Sequence, residues 1–220
     1  MAAPRAYDWG QGNPLVIRSV FEKTSGGAAK GRWARDNQGW FSKLIGRDPR
    51  IETKVILSEE YLVKDSPAVA DRGENGEPVV KVGQSALDAA QTEGEMSFLL
   101  GHELHHTIVR ARRHACLQKG LEGAGGDRAR FRSSRELRQY RWDLEKEADG
   151  WGQRYAFDAG YNPFDAVQAI RHLSDLGEAL GPGLLVDSEH DSAANRESYL
   201  KSWSSSREPF TAPCPWSEAL

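Results

Sequence analysis

The sequence predicts an α+β domain, mainly helical, with a small β-sheet beside the helix that carries the candidate site. Three observations predict it. Ile51 to Leu57 and Pro78 to Gly83 are short runs rich in Val and Ile and read as strands. A run opened by Thr92 sets Met96, Leu99, Leu100, Leu104 and Ile108 at helical spacing. A second, opened by Ser133, does the same with Leu137, Tyr140, Leu144, Ala148, Trp151 and Tyr155.

Taken in order, the chain begins with a Gly-rich, Trp-containing stretch from Gly10 to Trp40 that includes a short apolar helix near Pro14 to Phe21. Between the two strands, Asp71-Arg72-Gly73-Glu74-Asn75-Gly76 reads as a polar loop, and Pro78 to Gly83 is the expected sheet edge for an extended substrate to join. Thr92 with Glu95 forms a capping box for the first long helix, which is expected to end at Cys116. A flexible loop, Gly120 to Gly126, leads to the second helix, where Ser133 with Glu136 is the start signal and Gly160 the stop. A third helix opens at Asn162-Pro163, with Phe164, Val167, Ile170, Leu173, Leu176 and Leu180 inward, and Gly181-Pro182-Gly183 ends it. The organisation expected is an N-terminal segment, 1–50, packed on a core, 51–203, followed by a Ser- and Pro-containing tail, 204–220.

Composition narrows the class. A chain of 220 residues fits one domain, and at this size roughly 70% of the unfolded surface can be buried. Hydrophobic residues make up 39% and mean hydropathy is −0.64, but seven Trp, seven Phe and six Tyr separate the chain from disordered proteins. The net charge of −3 gives no global field toward nucleic acid or anionic lipid. No run approaches the ~18 apolar residues of a membrane span, and Met1-Ala2-Ala3-Pro4-Arg5 opens no signal-peptide hydrophobic region. The expected location is the cytoplasm, an exported form lacking its leader being the alternative.

Gly101-His102-Glu103-Leu104-His105-His106 is the stretch where residue type and spacing specify chemistry. Residues four apart lie one turn above each other on a helix, so His102 and His106 present two imidazoles to one point and carry Glu103 beside them. This is the His-Glu-x-x-His arrangement of zinc hydrolases, in which one Zn2+ lowers the pKa of a water to about 7 and the glutamate takes its proton. A buried helix that turns two histidines and a glutamate inward needs a compensating charge, and a divalent cation supplies it. His105 lies off the 102/106 stripe and reads as a cleft residue rather than a ligand. The metzincin spacing is not met, because Val109 and Arg112 stand where its glycine and third histidine would be. On the second helix, Glu145 and Asp149 are four apart on one face, which suits a carboxylate ligand beside a carboxylate that orients a ligand histidine, while Glu147 points elsewhere.

These segments resemble the HtpX and CAAX-prenyl-endopeptidase family of gluzincin metallopeptidases. The likeness rests on Val79 to Asp88, Glu95 to His106, Glu145 to Gly152, Ala159-Gly160-Tyr161-Asn162-Pro163 and the segment around His190 and Arg196, and it covers about residues 78 to 203. It implies a zincin-like fold, Glu145 as third zinc ligand and Asp149 as its supporting acid. It also implies that His190 approaches the zinc or a tetrahedral intermediate, and that Arg196 holds the surrounding loop. At His190 the sequence departs from the family, since Asp191 replaces the usual proline. Many members of that family are membrane-embedded or exported.

The expected function is a zinc endopeptidase acting on a protein or peptide substrate. A basic cluster spans Arg110, Arg112 and Arg113 through Arg141, with Phe131, Tyr140 and Trp142 among it. It raises the alternative of a protease working on nucleic-acid-bound proteins, although solvated helix ends are the commoner cause of such clusters, so nucleic acid is not the expected partner. A non-catalytic, metal-stabilised interaction module is the second alternative, for which loss of Glu103 would be the natural sign. Oligomeric state is not legible. Two cysteines, Cys116 and Cys214, are too few for a disulfide framework and predict a reduced compartment. Cys116 is expected as a small buried apolar residue, and Cys214 as a tail residue able to reach the zinc as a thiolate in a latent form.

Overall fold

A computed structural model describes residues 17, 19, 20, 54–57, 68–72, 74, 78–122, 134–180 and 191–214. The expected loop 120–126, the helix near Pro14 to Phe21 and the 204–220 tail are therefore covered only in part, and the expected stop at 181–183 lies outside the described residues. The architecture is mostly helical with one small sheet.

Three strands, β1 (Lys54–Leu57), β2 (Ala68–Arg72) and β3 (Pro78–Val82), form the sheet in the order β1-β3-β2. β1 runs parallel to β3 with Val55 opposite Val80, and β2 runs antiparallel with Ala70 opposite Val80. β3 is therefore central, not the edge expected from the sequence: both its neighbours are hydrogen-bonded to it, and Val79, Val80 and Val82 are buried. β2 occupies part of the expected polar loop. Asp71 and Arg72, taken alone, look like turn residues, but as strand residues they project from the pleat, and Asp71 pairs with Lys81 of β3 at 2.6 Å.

After the sheet come α1 (Gln84–Ala89), α2 (Glu93–Glu122), α3 (Ser134–Asp158), α4 (Asp165–Leu180) and α5 (Ala193–Lys201). α2 starts where its cap predicts, since Thr92 Oγ1 accepts the Glu95 N–H at 3.1 Å and the Glu95 carboxylate accepts the Gln91 N–H at 2.8 Å. It runs to Glu122, past the expected end at Cys116. α3 ends in a Schellman motif: Gly160 takes φ +94°, its N–H bonds the Phe157 carbonyl, and the Tyr161 N–H bonds that of Ala156. α4 buries Ala166, Val167, Ala169 and Ile170, whereas Phe164, expected inward, is 47% exposed. Phe164 precedes the helix in an Asn162 turn whose Oδ1 accepts its N–H, which points the ring away from the α4 face.

The main core joins β3, α1, the Met96-Phe98-Leu100-Leu104 side of α2, Trp151 and Tyr155 of α3, α4 and Leu200 of α5, with Ile17 and Val20 from the N-terminal segment. A smaller cluster joins Cys116, Tyr140, Leu144 and Ala212. Residues 202–214 are thus not a loose tail: Trp203 lies on Phe157, the Ser205 carbonyl accepts from Arg154, and Ala212 is buried. Cys116 and Cys214 form a disulfide, which overturns both the reduced reading and a zinc-bound Cys214. The two sulfurs meet because α2 extends far enough for the C-terminal segment to cross it. Among the described residues no helix is long and apolar enough to cross a membrane.

Candidate metal centre

α2 and α3 lie antiparallel in direct contact, and Gly152 makes the closest point of that crossing possible. A Cβ at Gly152 would stand 2.8 Å from the His102 backbone nitrogen and 3.0 Å from the Phe98 carbonyl oxygen, nearer than any ordinary contact. Gly152 is seven residues after Glu145, two turns along one face, so the glycine that admits α2 also aligns Glu145 with it. That spacing was the available signal for a residue the sequence reading passed over.

At the crossing, His102, His106 and Glu145 come together. His102 Nε2 is 3.1 Å from Glu145 Oε2 and 3.1 Å from His106 Nε2, and His106 Nε2 is 3.3 Å from Glu145 Oε1. A tetrahedral zinc ion with donor distances near 2.0 to 2.1 Å spaces its ligand atoms about 3.3 Å apart. The two imidazole nitrogens stand close to that spacing, each imidazole nitrogen is as near to one of the two Glu145 oxygens, and one donor atom from each residue lies within 4.8 Å of the others, so residue type and geometry fit a cation held by three side chains. His106 Nδ1 is buried with no hydrogen-bond partner among the described residues.

His102 is held from behind. Its Nδ1–H donates to Asp149 Oδ1 at 2.9 Å, which commits Nε2 to the metal side. Asp149 is 1% exposed and also accepts from Arg196, Nε to Oδ2 at 2.8 Å and Nη2 to Oδ1 at 2.6 Å. Arg196 belongs to α5 and grips Asp149 with two prongs, while the His190 segment it is expected to hold lies outside the described residues. Gln153 fixes α5 in turn, its amide donating to the Leu200 and Pro163 carbonyls at 3.0 and 2.8 Å.

Electrostatics follow from this chain of contacts. Burial disfavours a charged His102, but hydrogen bonds to Asp149 and Glu145 and their negative charge outweigh it and raise its pKa to about 10. Burial likewise opposes ionisation of Asp149, yet the charge and hydrogen bonds of Arg196, then His102, lower it to about 2. Arg196 resists deprotonation despite burial because Asp149, Glu145 and Glu103 surround it with negative charge. Glu103 is half-buried and contributes to that field. The centre is built to hold positive charge.

Two neighbours dismissed in the sequence are structural. His105 is buried, stacks on Trp151 with ring centroids 5.5 Å apart, donates from Nε2 to Glu147 Oε1 at 3.0 Å and accepts at Nδ1 from the Tyr155 hydroxyl. Glu147 does point away from the metal side, but into the protein and not to water: it is 1% exposed and also accepts from Arg112 at 2.6 Å and the Ala212 N–H at 2.9 Å. Arg112, counted in the basic cluster, is thereby turned inward. Of the other histidines, His114 is exposed and His172 donates to Glu95 at 2.9 Å, while His190 lies outside the described residues. No family model matches the chain, and neither the characterised proteins nor the solved structures include a significant match to it.

Proposed function

We propose that this chain is a zinc-dependent endopeptidase of the gluzincin kind, related to the HtpX and CAAX-prenyl-endopeptidase family, with a zincin-like fold. The observation that carries the reading is the convergence of His102 Nε2 and His106 Nε2, 3.1 Å apart, on the Glu145 carboxylate, whose Oε2 is 3.1 Å from the first and Oε1 3.3 Å from the second, with a carboxylate-backed histidine among them. Those residues would hold the ion, and zinc so held supplies Lewis acidity that makes water a nucleophile near neutral pH.

The chain's own groups do the rest. Glu103 is the general base, accepting the proton of the attacking water and passing it to the leaving amine. Asp149 fixes the His102 tautomer, and Arg196 fixes Asp149, so the donor set stays oriented without spending side-chain freedom at each turnover. By the family resemblance His190, which lies outside the described residues, is assigned as a donor to the developing oxyanion.

The test is Glu103→Gln. The variant should bind one zinc per chain like the parent and lose hydrolysis of an unfolded protein substrate by about 100- to 10,000-fold. Normal turnover would remove Glu103 from the mechanism. Zinc uptake by the parent without any hydrolysis would favour the metal-stabilised interaction module instead.

A further inference from the structure

The buried carboxylate of Glu147 is not used by the proposed reaction, yet three donors from two separate parts of the chain meet on it. His105 and Arg112 reach it from α2, and the Ala212 N–H reaches it from the C-terminal segment. Ala212 is two residues from Cys214, and Cys116 lies one turn beyond Arg112, so the disulfide closes the same stretch that caps Glu147. Glu147 itself stands between Glu145 and Asp149 on α3, and His105 stands next to His106 on α2. The stretch between the two cysteines, a sequence separation of 98, includes all of α3, α4 and α5, and with them Glu145, Asp149 and Arg196.

We infer that the Cys116–Cys214 disulfide is a redox-sensitive latch on the metal centre, holding the segment 202–214 over Glu147 and thereby the α2–α3 crossing in register. The inference deepens the metal-centre reading and rests on it. Opening requires a dithiol as reductant. One thiolate attacks the half-buried Cys214 sulfur, the S–S bond breaks and Cys116 leaves as a thiolate. The second thiol then displaces Cys214, so the dithiol ends as a disulfide and two electrons pass to the chain. With the covalent tie gone, the Ala212 bond to Glu147 is left to non-covalent contacts, among them Lys146 over the Phe210 ring at 4.9 Å. When it opens, Glu147 loses one of its three fixed donors. His105 and Arg112 are then less constrained, and the facing of His106 toward Glu145 loosens with them.

The experiment compares the oxidised full-length protein with the same protein reduced by a dithiol that is then removed without oxygen, the state being verified by thiol count. A Cys214→Ser variant serves as a permanently open form. Hydrogen exchange should show loss of amide protection at Ala212 in both open forms. Competition with a chromophoric chelator should show zinc binding at least about 10-fold weaker, as for loss of other groups behind metal ligands, and reoxidation of the wild type should restore it. Unchanged protection at Ala212, or equal zinc affinity in the oxidised and open forms, overturns the latch. Absence of zinc uptake by the oxidised protein overturns the metal-centre reading and the coupling together, while the Ala212 signal still reports whether the segment is released.

Discussion

Asp149→Asn is the perturbation with the clearest expected cost, because Asp149 joins the candidate ligand His102 to a buried guanidinium. In the folded protein its carboxyl titrates near 2 against an ordinary 3.8. At 1.36 kcal/mol per pH unit, that difference is about 2 kcal/mol of stability. Since the folded pKa is depressed, the contribution is complete above pH 3.8 and is lost as pH falls through about 2. Asparagine removes more than the charge. Its amide N–H2 must face either Arg196 or His102, both donors at 2.6 to 2.9 Å, and Arg196 keeps a buried charge without its counter-ion. Removing one member of a buried pair costs about 3 to 5 kcal/mol, so the expected loss lies between about 2 and 5 kcal/mol. Zinc affinity should fall about 10- to 100-fold as His102 loses its orientation. Denaturant unfolding of the metal-free protein and a chelator-competition titration measure the two effects. Arg196→Met in the Asp149→Asn background should recover part of the stability, with a coupling of about 0.5 to 3 kcal/mol. An Asp149→Asn protein within about 0.5 kcal/mol of the parent, with unchanged zinc affinity, would refute the reasoning.

Gly152→Ala should cost about 1 to 3 kcal/mol and weaken zinc binding, because its methyl meets the His102 backbone, whereas Gly160→Ala should cost about 1 to 2 kcal/mol through its positive φ and leave zinc binding alone. Equal zinc affinity in the two variants would contradict the close-approach argument. Glu145→Ala should abolish zinc uptake with the fold intact, while Glu147→Ala should lose about 3 to 5 kcal/mol of stability by stranding Arg112 and His105; calorimetry with metal analysis separates them. For pH, His105 is kept neutral because burial outweighs its Glu147 bond and lowers it to about 4, so stability falls as pH drops from 6.5 toward 4, by up to about 3 kcal/mol. His102, raised to about 10, contributes fully below pH 6.5 and loses its contribution as pH climbs toward 10. Unfolding of the metal-free protein across this range should therefore be hardest near pH 6.5, and His105→Gln should flatten the acid side. An acid side just as steep in His105→Gln would assign that slope to other groups.

By itself the sequence determined what depends on neighbours within a turn or two. The Thr92 cap, the Gly160 stop, the apolar stripe from Met96 to Leu104 and the one-face placement of His102 with His106 are of this kind, since helical geometry converts spacing directly into position. Strand existence at β1 and β3 was also legible, from their Val and Ile content. Strand order was not, because β2 is short and half polar and declares itself only by pairing with β3. Contacts across the chain were likewise invisible: Arg196 reaches Asp149 over 47 residues, and Cys116 reaches Cys214 over 98. Spacing sets Glu147 on a different face from Glu145 and Asp149, but says nothing of what each carboxylate meets. Which of them faces two imidazoles, which faces Arg112 and His105, and which takes Arg196 is decided by what each neighbouring element brings to the surface of α3. A buried carboxylate survives only where a donor or cation covers it, and that cover is a property of tertiary packing, not of local spacing.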